Sequence, residues 1–175
     1  MAISGTSGIY AQSLSVGLLG GGFLTEAISS FPNTRNFTVG PALQVNLPAL
    51  FRIEVDALYR PAYYAVELFN PLDGSPIPLN KSTNQWQFPF LLQYRFKTPV
   101  LKPFLEAGVS FDHTSGVSSV LGSRSHASVV LGAGVDVKIP FVRLSGELRY
   151  SHAGSADFAA LSNLNQAEVL VGVHF

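Results

Sequence analysis

The sequence predicts an all-β fold, an eight-stranded antiparallel up-and-down transmembrane β-barrel, on three observations. Apolar and polar residues alternate with a period of two along nearly the whole chain. Mid-strand ionisable residues are confined to one parity of that alternation. The connections between alternating segments are short on one side and long on the other, the profile of an up-and-down barrel in a bilayer.

The alternation places strands at about 12–24, 35–47, 50–62, 84–96, 103–113, 126–139, 141–153 and 164–175. These are longer than the five or six residues typical of a soluble sheet, and they suit the roughly 9–11 residues of a tilted strand crossing a bilayer. Short turns are expected around Pro48, over KTPVLK (97–102) and around Pro140; the longer connections are 25–34, 63–83, 114–125 and 154–163. Only AISSF (27–31) and DFAALSNL (157–164) offer single helical turns. An even strand number returns both termini to the short-turn side. Pro41 and Pro89 fall inside expected strands, where a missing N–H calls for a bulge or an open seam.

One barrel over 12–175 therefore accounts for the chain, with 1–11 as a disordered N-terminus or signal-peptide remnant. MAISGTSGIYAQ lacks a basic start and a long apolar stretch, but SGIYAQ could be the tail of a leader cleaved after Ala11.

Alternation defines two faces, and charge decides which is inside. The polar parity collects Arg52, Glu54, Asp56, Arg60, Arg95, Glu106, Asp112, Asp136, Lys138, Arg143, Glu147, Arg149 and Glu168, six cations and seven anions. The other charged residues fall in connections or at strand ends. A lipid-facing surface excludes charge in this way, at about 2–4 kcal/mol per midplane Arg or Lys. Small residues such as Gly17, Gly40, Gly132, Gly134 and Gly172 share the polar parity, as the narrow interior of eight strands requires. Bulk occupies the other parity. Phe37, Tyr59, Trp86, Phe88, Phe111 and Tyr150 lie toward the long connections, and Tyr94, Phe96 and Phe175 toward the short turns. Between these two girdles the outward residues are mostly aliphatic, matching headgroup and hydrocarbon zones. The alternative is a lipocalin-like soluble barrel with its faces exchanged.

Composition narrows function. Lys+Arg and Asp+Glu are 11 each, so no cationic excess serves a nucleic-acid partner. Charged residues make up 13% and mean hydropathy is +0.28, yet no apolar run reaches the roughly 18 residues of a membrane helix. Cysteine is absent, which removes disulfides and thiolate chemistry. No residue pattern calls for a cofactor or a metal.

The chain resembles the small eight-stranded outer-membrane barrels of Gram-negative bacteria, of the OmpX or OmpA transmembrane-domain kind, over about 12–175. QAEVLVGVHF (166–175), with Phe175 preceded by Val173 and Val171, resembles their C-terminal recognition strand. The resemblance implies export to the outer membrane, insertion by the barrel-assembly machinery, and contact with outer-membrane lipid and lipopolysaccharide. A porin-like pore and a subunit self-assembling through its apolar exterior are alternatives, and no oligomeric state is legible.

RYSHAGSADF (149–158) resembles the His-x-Ser segment of outer-membrane lipid A deacylases, which implies His152 as base, Ser155 as nucleophile and Glu168 as orienting acid. Gly154 stands where that serine belongs, and Glu168 has the lumenal parity while His152 faces out. An interfacial histidine beside Tyr150 is the simpler account. His113, His126 and Asp112 bracket a long connection without metal-site spacing. The expected function is a non-enzymatic scaffold with an ion-paired lumen and binding loops.

Overall fold

The computed structural model describes residues 14–24, 37–69, 76–115, 124–153 and 165–175. The N-terminal segment 1–11, the connections 25–34 and 154–163, the two expected helical turns and Ser155 lie outside the described residues.

Nine strand segments follow in order: β1 (Leu14–Phe23), β2 (Phe37–Asn46), β3 (Phe51–Asp56), β4 (Leu58–Phe69), β5 (Pro76–Arg95), β6 (Leu101–Ser115), β7 (Arg124–Lys138), β8 (Arg143–Ala153) and β9 (Asn165–His174). β3 and β4 are consecutive halves of one stave. Every neighbouring pair is antiparallel, and β1 pairs with both β2 and β9, so eight staves close into a barrel. Within the closed wall each stave is paired on both sides, so open edges, the usual liability of a sheet, are confined among the described residues to the stave ends.

The two prolines flank the interruption in the third stave. Pro41 on β2 stands opposite Ala57, whose N–H donates to the Pro41 carbonyl at 3.0 Å. Pro41 has no N–H to return. On the other side the β5 ladder skips from Val55↔Phe90 to Leu58↔Gln87, passing Pro89 without a change of register. Neither proline makes a bulge, and of the two expectations the local opening is the one that holds. Both ladders continue in register across a local gap.

The expected loop over 63–83 is corrected as well. β4 and β5 stay paired from Leu58↔Gln87 out to Phe69↔Pro76, leaving a short connection between them. The alternating AYYAVELF segment favours a strand. Pro76 and Pro78 are tolerated because, among the described residues, this part of β5 pairs with β4 alone, and an edge does not use every N–H. The 114–125 connection likewise loses its ends to β6 and β7.

At the other end the turns are tight. Leu47 N–H donates to Phe51 O at 2.9 Å, Phe96 N–H to Pro103 O at 2.9 Å and Ile139 N–H to Val142 O at 2.8 Å. In the first of these turns Ala49 and Leu50 adopt φ of 61° and 76°, the left-handed region where a side chain is strained.

Burial is inverted relative to a soluble barrel. Arg52 and Glu54 are fully buried, whereas Phe90 is 46% and Leu131 53% exposed. Phe37, Trp86, Phe88, Tyr94, Phe96, Phe111, Tyr150 and Phe175 are exposed on the outer face, and Tyr59 is half-buried there. Edge-on pairs join Phe51 to Tyr94, Tyr59 to Trp86 and Tyr94 to Phe96 with centroids 5.2–5.4 Å apart.

Candidate functional site: the charged lumen

Arg149, on β8, is the hub of the interior. Its Nη2 meets Glu54 Oε1 at 2.5 Å and Glu147 Oε2 at 2.7 Å; Nη1 meets Asp56 Oδ2 at 2.6 Å, and Nε meets Glu106 Oε1 at 2.9 Å. Four carboxylates from β3, β6 and β8 thus converge on one guanidinium, using its fork of donors more fully than a lysine could. Gln93 donates to Glu54 at 3.0 Å and to Glu106 at 2.8 Å, and Gln44 also donates to Glu54. β7 makes room: a Cβ added to Gly132 would sit 2.4 Å from Glu106 Oε1, and one on Gly134 2.3 Å from the Phe104 ring.

Toward the short turns a second group forms. Arg52 Nη1 meets Asp136 Oδ2 at 2.9 Å, its Nε donates to Gln93, and its Cζ lies 5.2 Å from the centre of the Phe104 ring. Arg143 approaches the same Asp136 oxygen at 3.7 Å and donates to Gln44. His174 is buried, with Nε2 3.1 Å from Ser145 Oγ.

Toward the long connections Asp112 accepts from Ser110 at 2.6 Å and Ser128 at 3.3 Å and meets His126 Nε2 at 3.2 Å. Arg60 donates to Gln166 at 2.9 Å and lies over the Phe23 ring at 3.6 Å. Glu168 is buried and stands opposite Arg149 across the β8–β9 ladder.

Of the thirteen expected lumenal charges, ten are buried, and Arg143 is part-buried. Arg95 is half-buried, and Lys138, at the end of β7, is exposed: parity points it inward, but the barrel ends before it can be covered. Parity did not reveal the apolar part of the interior. Leu19, Ala42, Leu58 and Leu170 form a buried cluster, and Leu58, Leu91 and Val130 occupy the inward positions one step beyond the hub toward the long connections. The signal was available, since these residues share the parity of the charges.

Of the residues the deacylase resemblance implies, His152 and Glu168 do not meet, and Ser155 lies outside the described residues. Glu168 faces the lumen, whereas His152 is exposed outside, with Nδ1 2.7 Å from Asn165 Oδ1, an oxygen that also accepts from Tyr150 at 2.9 Å. His113 and His126 also part. His113 is exposed with Nδ1 2.9 Å from Ser125 Oγ, while His126 turns toward Asp112 inside.

Solved structures with this architecture span nearly the whole chain. Neisserial surface protein A aligns with a TM-score of 0.63 and 18% identity, covering 92% of this chain and 94% of that one. The N-terminal β-barrel domain of Pseudomonas aeruginosa OprF aligns at 0.60 and 13%, covering 93% and 96%. The Yersinia pestis outer membrane protein Ail, solved in a phospholipid bilayer nanodisc, aligns at 0.51 and 12%, covering 93% and 100%. The chain has the fold of a small outer-membrane barrel. No protein-family model and no curated protein matches the sequence, and at these identities the structural likeness is one of fold.

Proposed function

We propose that this chain is an integral barrel of the Gram-negative outer membrane, with a closed lumen, that acts as a structural or surface-binding scaffold. The observation that carries this is the inversion of burial: a fully buried Arg52 and Glu54 inside a wall of exposed Phe, Trp, Leu and Val. Such a wall is stable against acyl chains and costly against water. The lumen is a plug rather than a channel, because Arg149 spans from β8 to carboxylates on β3 and β6, and Leu58, Leu91 and Val130 fill the next level. In this reading the short turns face the periplasm, and the long connections face outward and carry the binding. Lipopolysaccharide covers the outer belt, and the strand ending in Phe175 engages the insertion machinery.

Two measurements test it. Folded protein extracted from outer membranes in detergent is expected to migrate faster unboiled than boiled, and planar bilayers containing it are expected to show no steady conductance. A water-soluble folded monomer would refute the membrane assignment; reproducible conductance would replace the scaffold with a pore.

A further inference from the structure

Cations collect at the end of the barrel that carries the short turns. Arg52 is the second residue of β3, Arg95 closes β5, Lys102 is second in β6, Lys138 closes β7 and Arg143 opens β8. Among the described charges with the inward parity at this end, Asp136 is the acid. Its Oδ2 is shared by Arg52 and Arg143. Arg52 and Arg143 also lie within electrostatic reach of Glu54, which Arg149, Gln44 and Gln93 already engage, whereas Asp136 is the acid within reach of Arg95.

The donors of these three arginines are also incompletely used. Among the described residues, Arg52 Nη2 and Arg95 Nε have no hydrogen-bond partner although each atom is buried, Arg143 Nε reaches Asp136 Oδ2 at 3.7 Å without a hydrogen bond, and Asp136 Oδ1 has none either. Arg95 and Arg143 each lie within electrostatic reach of Arg52, and Arg143 within reach of Arg95. Arg52 and the Phe104 ring form a buried floor, while Arg95 and Arg143 remain partly exposed at the mouth. Like charges gathered with unmade buried N–H bonds are unfavourable unless an anion joins them.

We propose that this mouth binds a water-soluble phosphate dianion. A dianion can face all three guanidiniums at once, and tetrahedral oxygens match guanidinium forks. Hydrogen phosphate also carries one P–OH, which donates to Asp136 Oδ1; sulfate has no such proton and meets that carboxylate as a second acceptor. Lys102 and Lys138 at the rim draw anions toward the mouth.

The test uses the full chain folded in phosphatidylcholine nanodiscs, titrated with inorganic phosphate at constant ionic strength against chloride. Heat and the arginine Nε–H resonances are followed together. Binding is expected to saturate and to move the Arg52, Arg95 and Arg143 signals, with sulfate at least about tenfold weaker. Loss of one charge-assisted contact in Arg95→Gln or Arg143→Gln is expected to weaken phosphate by about tenfold or more. Arg95 stands at a strand end and is half-exposed, so its variant tests the site even if Arg52→Gln does not fold. Absence of saturable binding, equal affinity in both variants, or sulfate bound as tightly as phosphate would overturn the proposal. So would a response that appears only when the nanodisc contains phosphatidylglycerol, which would assign the mouth to a lipid headgroup.

Discussion

Arg149 shows what a single residue contributes inside a narrow barrel. Its guanidinium touches four carboxylates, and without it Glu54, Asp56, Glu106 and Glu147 would face one another in a site with almost no water. A buried ion pair is a weak source of net stability, but breaking one by removing a partner is costly. Arg149→Gln is therefore expected to lose about 3–5 kcal/mol of folding stability, read as a lower urea midpoint for unfolding in detergent. Adding Glu54→Gln and Glu147→Gln should recover much of that loss, since the stranded charges go too. If Arg149→Gln unfolds at the wild-type midpoint, the hub does not hold the interior together. These residues were legible because a charge on every second position can satisfy only one face of a strand.

At the scale of the elements, the turns and the interrupted stave decide where strain is stored. The β2–β3 turn sets Ala49 and Leu50 in the left-handed region without glycine, at about 1–2 kcal/mol per residue. Ala49 is exposed, so Ala49→Gly removes strain without disturbing packing. The variant is expected to gain up to about 1 kcal/mol, partly offset by the entropy glycine adds to the unfolded chain. Equilibrium unfolding of the two proteins side by side measures it, and a destabilised variant would show that the turn is not strained. The strand positions were readable from alternation, because a pleated strand has a period of two whatever its environment. The β4–β5 extension was not: prolines there suggest a loop, and only the pairing partner shows whether their missing N–H groups matter.

For the whole molecule, the decisive property is which side of the wall meets hydrocarbon. The sequence has one tryptophan, and Trp86 is exposed on the outer face beside Tyr59 and Phe88. Its fluorescence is expected to be quenched strongly by lipids brominated high on the acyl chain, and little by a water-soluble quencher. The reverse pattern, aqueous quenching without lipid quenching, would contradict the orientation of the entire barrel. The same orientation separates Glu168 from His152 by the thickness of the wall, which is why their shared motif does not assemble an esterase from these two residues.

The sequence by itself determined strand periodicity, the segregation of charge from bulk, and hence the inside and outside of the barrel. Each of these follows from the backbone pleat and from the cost of placing charge in hydrocarbon, both local properties of a strand. Tertiary structure alone decided that four acids from three strands share Arg149, that arginines with unused donors gather at one mouth, and that Pro41 and Pro89 flank the same gap. Those outcomes depend on register and closure, which bring residues about 90 apart along the chain into one layer. Alternation says which face a side chain takes; the geometry of closure says whom it meets there.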